Sequence, residues 1–218
     1  MLKEENQSWL GFFIEIIVLI SIVLFIRFYV FQLFRVSGPS MCPTLNVLNE
    51  ECQGGKGEFI FVNEFLYKFM KDPKRGEIVI FRPPNKKIYY VKRVIGIAGD
   101  TIEIENGKVY LTNSKVTRFK LQEDFLSEKN KGRTKNFEKT KFTVPEGHFL
   151  LFGDNRDKSL DARQCFSGAG CNGQNTPFVS KENIQGRAEF VIWPFWKSRW
   201  LENHPEQEDL KKKETIDS

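Results

Sequence analysis

The sequence predicts a mainly β domain carried behind one N-terminal transmembrane helix. Three observations predict it: an unbroken apolar run near the N-terminus, a series of short β-like runs after it, and a length of 218 residues and 25.5 kDa. If about 30 residues form an anchor, roughly 180 remain, enough for one domain to bury its own core. Hydrophobic residues at 40% and charged residues at 28% exclude a polytopic membrane protein and a wholly disordered chain. The net charge of +5 is spread along the chain, which speaks against nucleic acid as a partner and makes an anionic bilayer surface an easier one.

The apolar run, WLGFFIEIIVLISIVLFI, extends from Trp9 to Ile26 with Glu15 as its only charge. At about 1.5 Å per residue it covers about 27 Å, close to the hydrocarbon core of a bilayer, and Glu15 falls within snorkelling reach of one surface. No small-x-small pattern follows it, as a cleaved leader would require. The expected organisation is a short terminus (residues 1–8), an anchor (9–30), a β-rich domain (31–200) and a charged, disordered tail (201–218). Within the domain, residues 113–142 are rich in Lys, Asn, Glu and Thr and read as a mobile surface insertion.

The β-like runs come in order: Glu58–Val62, Gly76–Phe81, Tyr89–Ile97, Thr101–Glu105, Lys108–Leu111, His148–Phe152 and Arg187–Ile192. Asn106-Gly107 between two of them is a hairpin signal, because both residues tolerate positive φ. Four cysteines, Cys42, Cys52, Cys165 and Cys171, all follow the anchor and allow three pairings. Pairing within each near neighbour set is the simplest and favours an oxidising exterior, with free thiols as the alternative. Zinc is rejected: the five-residue gap is unusual for a Cys pair, and neither His148 nor His204 makes a convincing partner.

Three segments hold residues suited to chemistry. Ser40, in Val36-Ser-Gly-Pro-Ser40-Met-Cys-Pro-Thr-Leu45, sits between two prolines that fix φ and beside a glycine that lets backbone approach. A serine nucleophile needs a base, and His148 is the sole candidate histidine inside patterned sequence. Lysine is the other option, provided burial depresses its pKa, and Lys92 alone lies in an apolar run, on the strand face shared with Tyr90 and Val94. Gly153-Asp-Asn-Arg-Asp-Lys-Ser-Leu-Asp-Ala-Arg163 is dense in groups that form buried networks. It does not fit a calcium loop, since Arg156, Lys158 and Ser159 stand where such a loop needs oxygen ligands and a glycine.

Taken in this order, the segments resemble bacterial type I signal peptidases, over most of residues 9–200. The matching stretches are the anchor, Ser40–Leu45, Arg75–Phe81, Tyr90–Gly96 with Gly99-Asp100, Gly153–Ser159 with Asp161 and Arg163, and Gly186-Arg-Ala188. The resemblance implies a β-rich peptidase fold, a cytoplasmic N-terminus with the catalytic domain outside, and removal of signal peptides from exported proteins without metal or cofactor. It implies Ser40 as nucleophile, Lys92 as general base, Ser159 orienting the lysine amine, and Asp154, Arg156, Asp161 and Arg163 bracing the site. Phe34, Val36 and Val91 are expected to line shallow pockets for small side chains before the cut. Two rivals stand beside this reading: a peptidase dedicated to one pilin-like substrate, and a membrane-anchored β-domain that only binds. The chain departs from the family pattern in having Gly38 where some members carry a hydroxyl for the oxyanion hole, and in an enlarged stretch after Arg163.

Overall fold

A computed structural model describes residues 2–25, 30–48, 51–52, 54–84, 86–172 and 175–203. Of the expected tail, residues 204–218, with His204, lie outside the described residues; its first residues are ordered against the domain instead, Leu201 being buried and Asn203 Oδ1 accepting the Ile78 N–H at 2.8 Å. One helix, α1 (Leu2–Phe25), precedes fourteen strands among the described residues. These are β1 (Phe31–Ser37), β2 (Val47–Leu48), β3 (Glu51–Cys52), β4 (Lys56–Asn63), β5 (Ile78–Phe81), β6 (Tyr90–Gly96) and β7 (Thr101–Glu105). They continue as β8 (Lys108–Thr112), β9 (Phe119–Lys120), β10 (Lys141–Thr143), β11 (His148–Phe152), β12 (Phe178–Ser180), β13 (Ile184–Trp193) and β14 (Arg199–Trp200). The domain is mainly β, as the alternating runs predict.

From Trp9 to Phe25 the side chains of α1 are apolar apart from Glu15 and Ser21, and its large apolar residues are all exposed. Among the described residues no helix is long and apolar enough to cross a membrane. Phe31–Phe34, which continue the apolar trend of the sequence, are not helical; they begin β1, pairing antiparallel with β4.

The main sheet has eight strands in the order β1-β4-β13-β5-β6-β11-β12, with β14 added to β13. A second sheet runs β10-β7-β8-β9. Its β7–β8 hairpin turns at Asn106 (φ 50°) and Gly107 (φ 76°), the conformations for which that dipeptide was read. Two hydrophobic clusters form the core. One gathers Val79, Phe81, Val94, Leu150 and Phe152 between the sheets; the other gathers Val36, Met41, Leu45, Ile60 and Ile80 beneath β1 and β4. Strand β6 serves both. Cross-strand pairing sets Lys92 beside Val79 of the first cluster and Arg93 beside Ile78 of the second.

Residues 113–142, expected to be a mobile excursion, are instead pinned to the domain. Val116, Leu121 and Leu126 are buried, Asn130 accepts the Asp157 N–H at 3.1 Å, and Glu123 and Thr134 accept from Arg156 at 2.5 and 2.8 Å. The polar anchors carry no hydrophobic period, so the sequence pattern hides them.

Candidate active site

Ser40 lies on a turn between β1 and β2 that is held from several sides. Gly38 adopts φ 85°, open to glycine and strained for other residues, and its N–H donates to Gly55 O at 3.1 Å. Asn46 Nδ2 donates to Gly38 O and Gly55 O at 3.1 and 3.2 Å. The Asn155 N–H donates to Ser40 O at 3.0 Å, and Thr44 Oγ1 donates to Asp154 Oδ2 at 2.5 Å. A Cys42–Cys52 disulfide closes the loop immediately after the serine, and a Cys165–Cys171 disulfide closes the enlarged stretch after Arg163. Both are the near-neighbour pairings.

Lys92 reaches the serine from β6. Its Nζ stands 2.7 Å from Ser40 Oγ and 2.9 Å from Val91 O, and the residue is 3% exposed. Burial lowers its pKa to about 8, although the charges of Asp161 and Asp154 pull the other way; Arg163 offsets part of that pull. Among the described residues no carboxylate pairs directly with the amine. Near neutral pH a useful fraction of Lys92 is thus neutral and able to accept the serine proton across the existing contact.

The Gly153–Arg163 segment supplies the surroundings. Asp154 takes two hydrogen bonds from Arg93, at 3.0 and 2.8 Å, in addition to the one from Thr44, and so ties β6 to the nucleophile turn. Asp161 is buried and receives Arg163 Nε and Nη2 at 2.9 and 2.8 Å and the Gly153 N–H at 3.0 Å. Burial alone would raise its pKa, but the Arg163 charge and these bonds hold its carboxyl below the usual range. Arg156 braces the segment against Glu123 and Thr134. Ser159 is buried with its hydroxyl close to Asp161, where it helps keep that carboxylate ionised, yet it makes no hydrogen bond of ordinary geometry. It stands in the same nest as Lys92 without bonding to it. A Cβ on Gly153 would come within 2.1 Å of Ser159 Oγ and 2.4 Å of Ser40 O, so this glycine is what lets the two serines approach.

Ser40 and Lys92 open into a groove of ≈ 440 Å³ whose apolar wall includes Phe34, Val36, Val91, Ile60 and Ile80. All three residues singled out for the substrate pockets line it. His148 does not: its Nδ1 is 2.8 Å from Glu146 O in its own turn. Among the described residues the Ser40 N–H has no acceptor, which leaves it available to an oxyanion, and Ser37 also lines the groove. No group of three or more His, Cys, Asp or Glu among the described residues is arranged to hold a metal.

Sequence reasoning missed three parts of this arrangement. Arg93 was visible only as a second charge beside Lys92, and its partner Asp154 lies 61 residues away. Thr44 stood inside the Ser40 motif without a role. Arg199, whose guanidinium joins Glu58 at 2.7 Å and donates to Thr44 O at 2.8 Å, connects the far end of the chain to the same turn. Its only signal in the sequence is that it is one of two cations, with Lys197, in the aromatic-rich stretch Phe190–Trp200.

A serine hydroxyl in hydrogen-bond contact with a buried, pKa-depressed amine, at the base of an apolar groove in a β domain, is an arrangement in which a lysine can do for a serine nucleophile what histidine does in other serine hydrolases. The sequence matches the family model described as "Signal peptidase, peptidase S26" over residues 9–193. It is 34% identical over 200 residues to signal peptidase I of Bacillus licheniformis, covering 88% of this chain and 91% of that one. It is 30% identical over 197 residues to signal peptidase I T of Bacillus subtilis (strain 168), covering 90% and 92%. A crystal structure of a signal peptidase I from Enterococcus faecalis V583 shares 28% identity and covers 54% of this chain and 97% of its own, with a TM-score of 0.39. The chain belongs to the peptidase S26 family of signal peptidases and is a peptide-bond hydrolase.

Proposed function

We propose that this chain is a membrane-anchored serine endopeptidase that removes N-terminal signal peptides from exported proteins, with Ser40 as nucleophile and Lys92 as general base. The observation that carries the reading is the 2.7 Å contact between Ser40 Oγ and a Lys92 amine that is buried and, among the described residues, without a carboxylate partner. The neutral amine takes the serine proton as Oγ attacks the carbonyl carbon. The developing oxyanion meets the Ser40 N–H, and the ammonium then returns its proton to the departing amine. Water, deprotonated by the same amine, releases the acyl group. Phe34, Val36 and Val91 form the wall against which small side chains before the cut would pack. Asp154, Arg156, Asp161 and Arg163 hold the backbone frame, and Ser159 tunes the electrostatic nest.

Anchoring rests on α1, whose apolar side chains from Trp9 to Phe25 are exposed around the helix, and on the apolar residues that follow in the sequence. Two disulfides suit an oxidising compartment, which favours the domain outside the plasma membrane and the N-terminus in the cytoplasm. Exposed Trp193, Phe195, Trp196 and Trp200 suit the headgroup zone. Cleavage of several unrelated preproteins in detergent tests the function. Wild type should process them all and Ser40→Ala none. Processing of a single pilin-like substrate would favour the dedicated peptidase, and no Ser40-dependent cleavage would leave only a binding domain.

A further inference from the structure

The charged residues of the Gly153–Arg163 segment are satisfied almost without exception. Asp154 is held by Arg93, Arg156 by Glu123, Asp157 by Lys135 at 3.2 Å, and Asp161 by Arg163. Lys158 is the exception: it is exposed, lines the groove with Ser40 and Lys92, and has no carboxylate partner among the described residues. The other two cations of the groove are committed. Lys92 is buried against Ser40, and the Arg35 guanidinium lies 5.2 Å over the Phe59 ring. No Asp or Glu lines the groove.

The place of Lys158 is fixed relative to the nucleophile. Its N–H donates to Asn155 O at 3.1 Å, and the Asn155 N–H donates to Ser40 O at 3.0 Å, so two backbone hydrogen bonds separate it from the serine. An extended peptide rises about 3.3 Å per residue, and a lysine stem spans about two such steps. We propose that Lys158 is a specificity-determining residue that selects, among substrates, those carrying a carboxylate within about two residues of the scissile bond. The inference rests on the peptidase reading above. It adds to the apolar wall, which discriminates by size, a polar contact that discriminates by charge.

The test is a set of fluorogenic peptides that share one cleavable sequence and carry Asp, Asn or Lys at each of the two positions on either side of the cut. Each is assayed with wild type, Lys158→Gln and Lys158→Glu in detergent. Wild type should show kcat/KM about fivefold higher for Asp than for Asn at one position at least, with the ratio falling as salt rises. Lys158→Gln should bring that ratio to about one, and Lys158→Glu should favour the Lys peptide at the same position. A structural role would scale all peptides equally and leave the ratios unchanged. Equal Asp and Asn rates in wild type, or an Asp preference that survives Lys158→Glu, would overturn the proposal. If no peptide is cut in a Ser40-dependent way, it is the peptidase reading that fails instead.

Discussion

The two faces of β6 bury adjacent cations to opposite ends. Lys92 is 3% exposed and Arg93 0%, so burial does not distinguish them. Arg93 meets Asp154 in a two-pronged bond, donates to Gly76 O at 2.7 Å, and stays a fixed positive charge. Lys92 meets a hydroxyl and a carbonyl, neither of which compensates the cost of a buried ammonium, and its pKa falls to about 8. A buried cation becomes a base only where the fold withholds a counter-ion from it. The same segment does both: Asp154 is spent on Arg93 and Asp161 on Arg163, which leaves Lys92 near two carboxylates and bonded to neither.

The largest effects should come from exchanging the roles of the two faces. Ser40→Ala and Lys92→Ala should each lower kcat/KM by about 10⁴-fold, and the double variant by little more, because a nucleophile and its base act as one unit. Lys92→Arg should fail as completely, since a guanidinium does not deprotonate. Circular dichroism should show all of these folded, and retained turnover in Lys92→Ala with loss in His148→Ala would transfer the base to histidine.

Across the strand, Arg93→Ala and Asp154→Asn should act on stability. Each leaves a buried partner uncompensated, at a cost of about 3–5 kcal/mol in denaturant unfolding. A fall in activity of the remaining folded enzyme would fit a bracing role, with the pKa seen in kcat/KM displaced downward in Asp154→Asn because the charge of that carboxylate raises the Lys92 pKa. Unaltered stability would mean that the Arg93–Asp154 pair does not hold the turn.

The pH dependence sharpens the contrast further. The reactive form of Lys92 is the neutral one, so kcat/KM should rise through a pKa of about 8, by about tenfold from pH 7 to pH 9, and be poor in acid. An acid optimum would contradict the assignment. The smallest effect lies outside both faces. Replacing Cys165 and Cys171 with serine opens a seven-residue loop, which the chain-entropy account values at about 2 kcal/mol. The melting temperature should drop by about 5 °C with activity nearly unchanged. A large loss of activity instead would show that this loop supports the Asp161–Arg163 pair.

What could be read in the sequence follows the range of the interactions. Ser40 and Lys92 are legible locally as candidates, one by the prolines around it and the other by an apolar strand that has no evident use for an ammonium, while their pairing comes from the family resemblance. The β7–β8 hairpin is likewise written in its Asn106-Gly107 turn. Arg93, Thr44 and Arg199 acquire their meaning only when residues 61, 110 and 141 positions away arrive beside them, and no local pattern encodes that. The 113–142 stretch fails for the same reason: its anchors are side-chain hydrogen bonds to Arg156 and Asp157, which look like solvated polar residues until the fold closes.

The central claim is that Lys92 is the neutral base beside Ser40. Titration of the Lys92 side chain by NMR on the lysine-labelled, detergent-solubilised protein, assigned with Lys92→Arg, measures it directly. A pKa of about 8 that coincides with the kinetic pKa of kcat/KM is the predicted result. A pKa at the ordinary lysine value of 10.5, or a rate profile indifferent to the titration of Lys92, would contradict it.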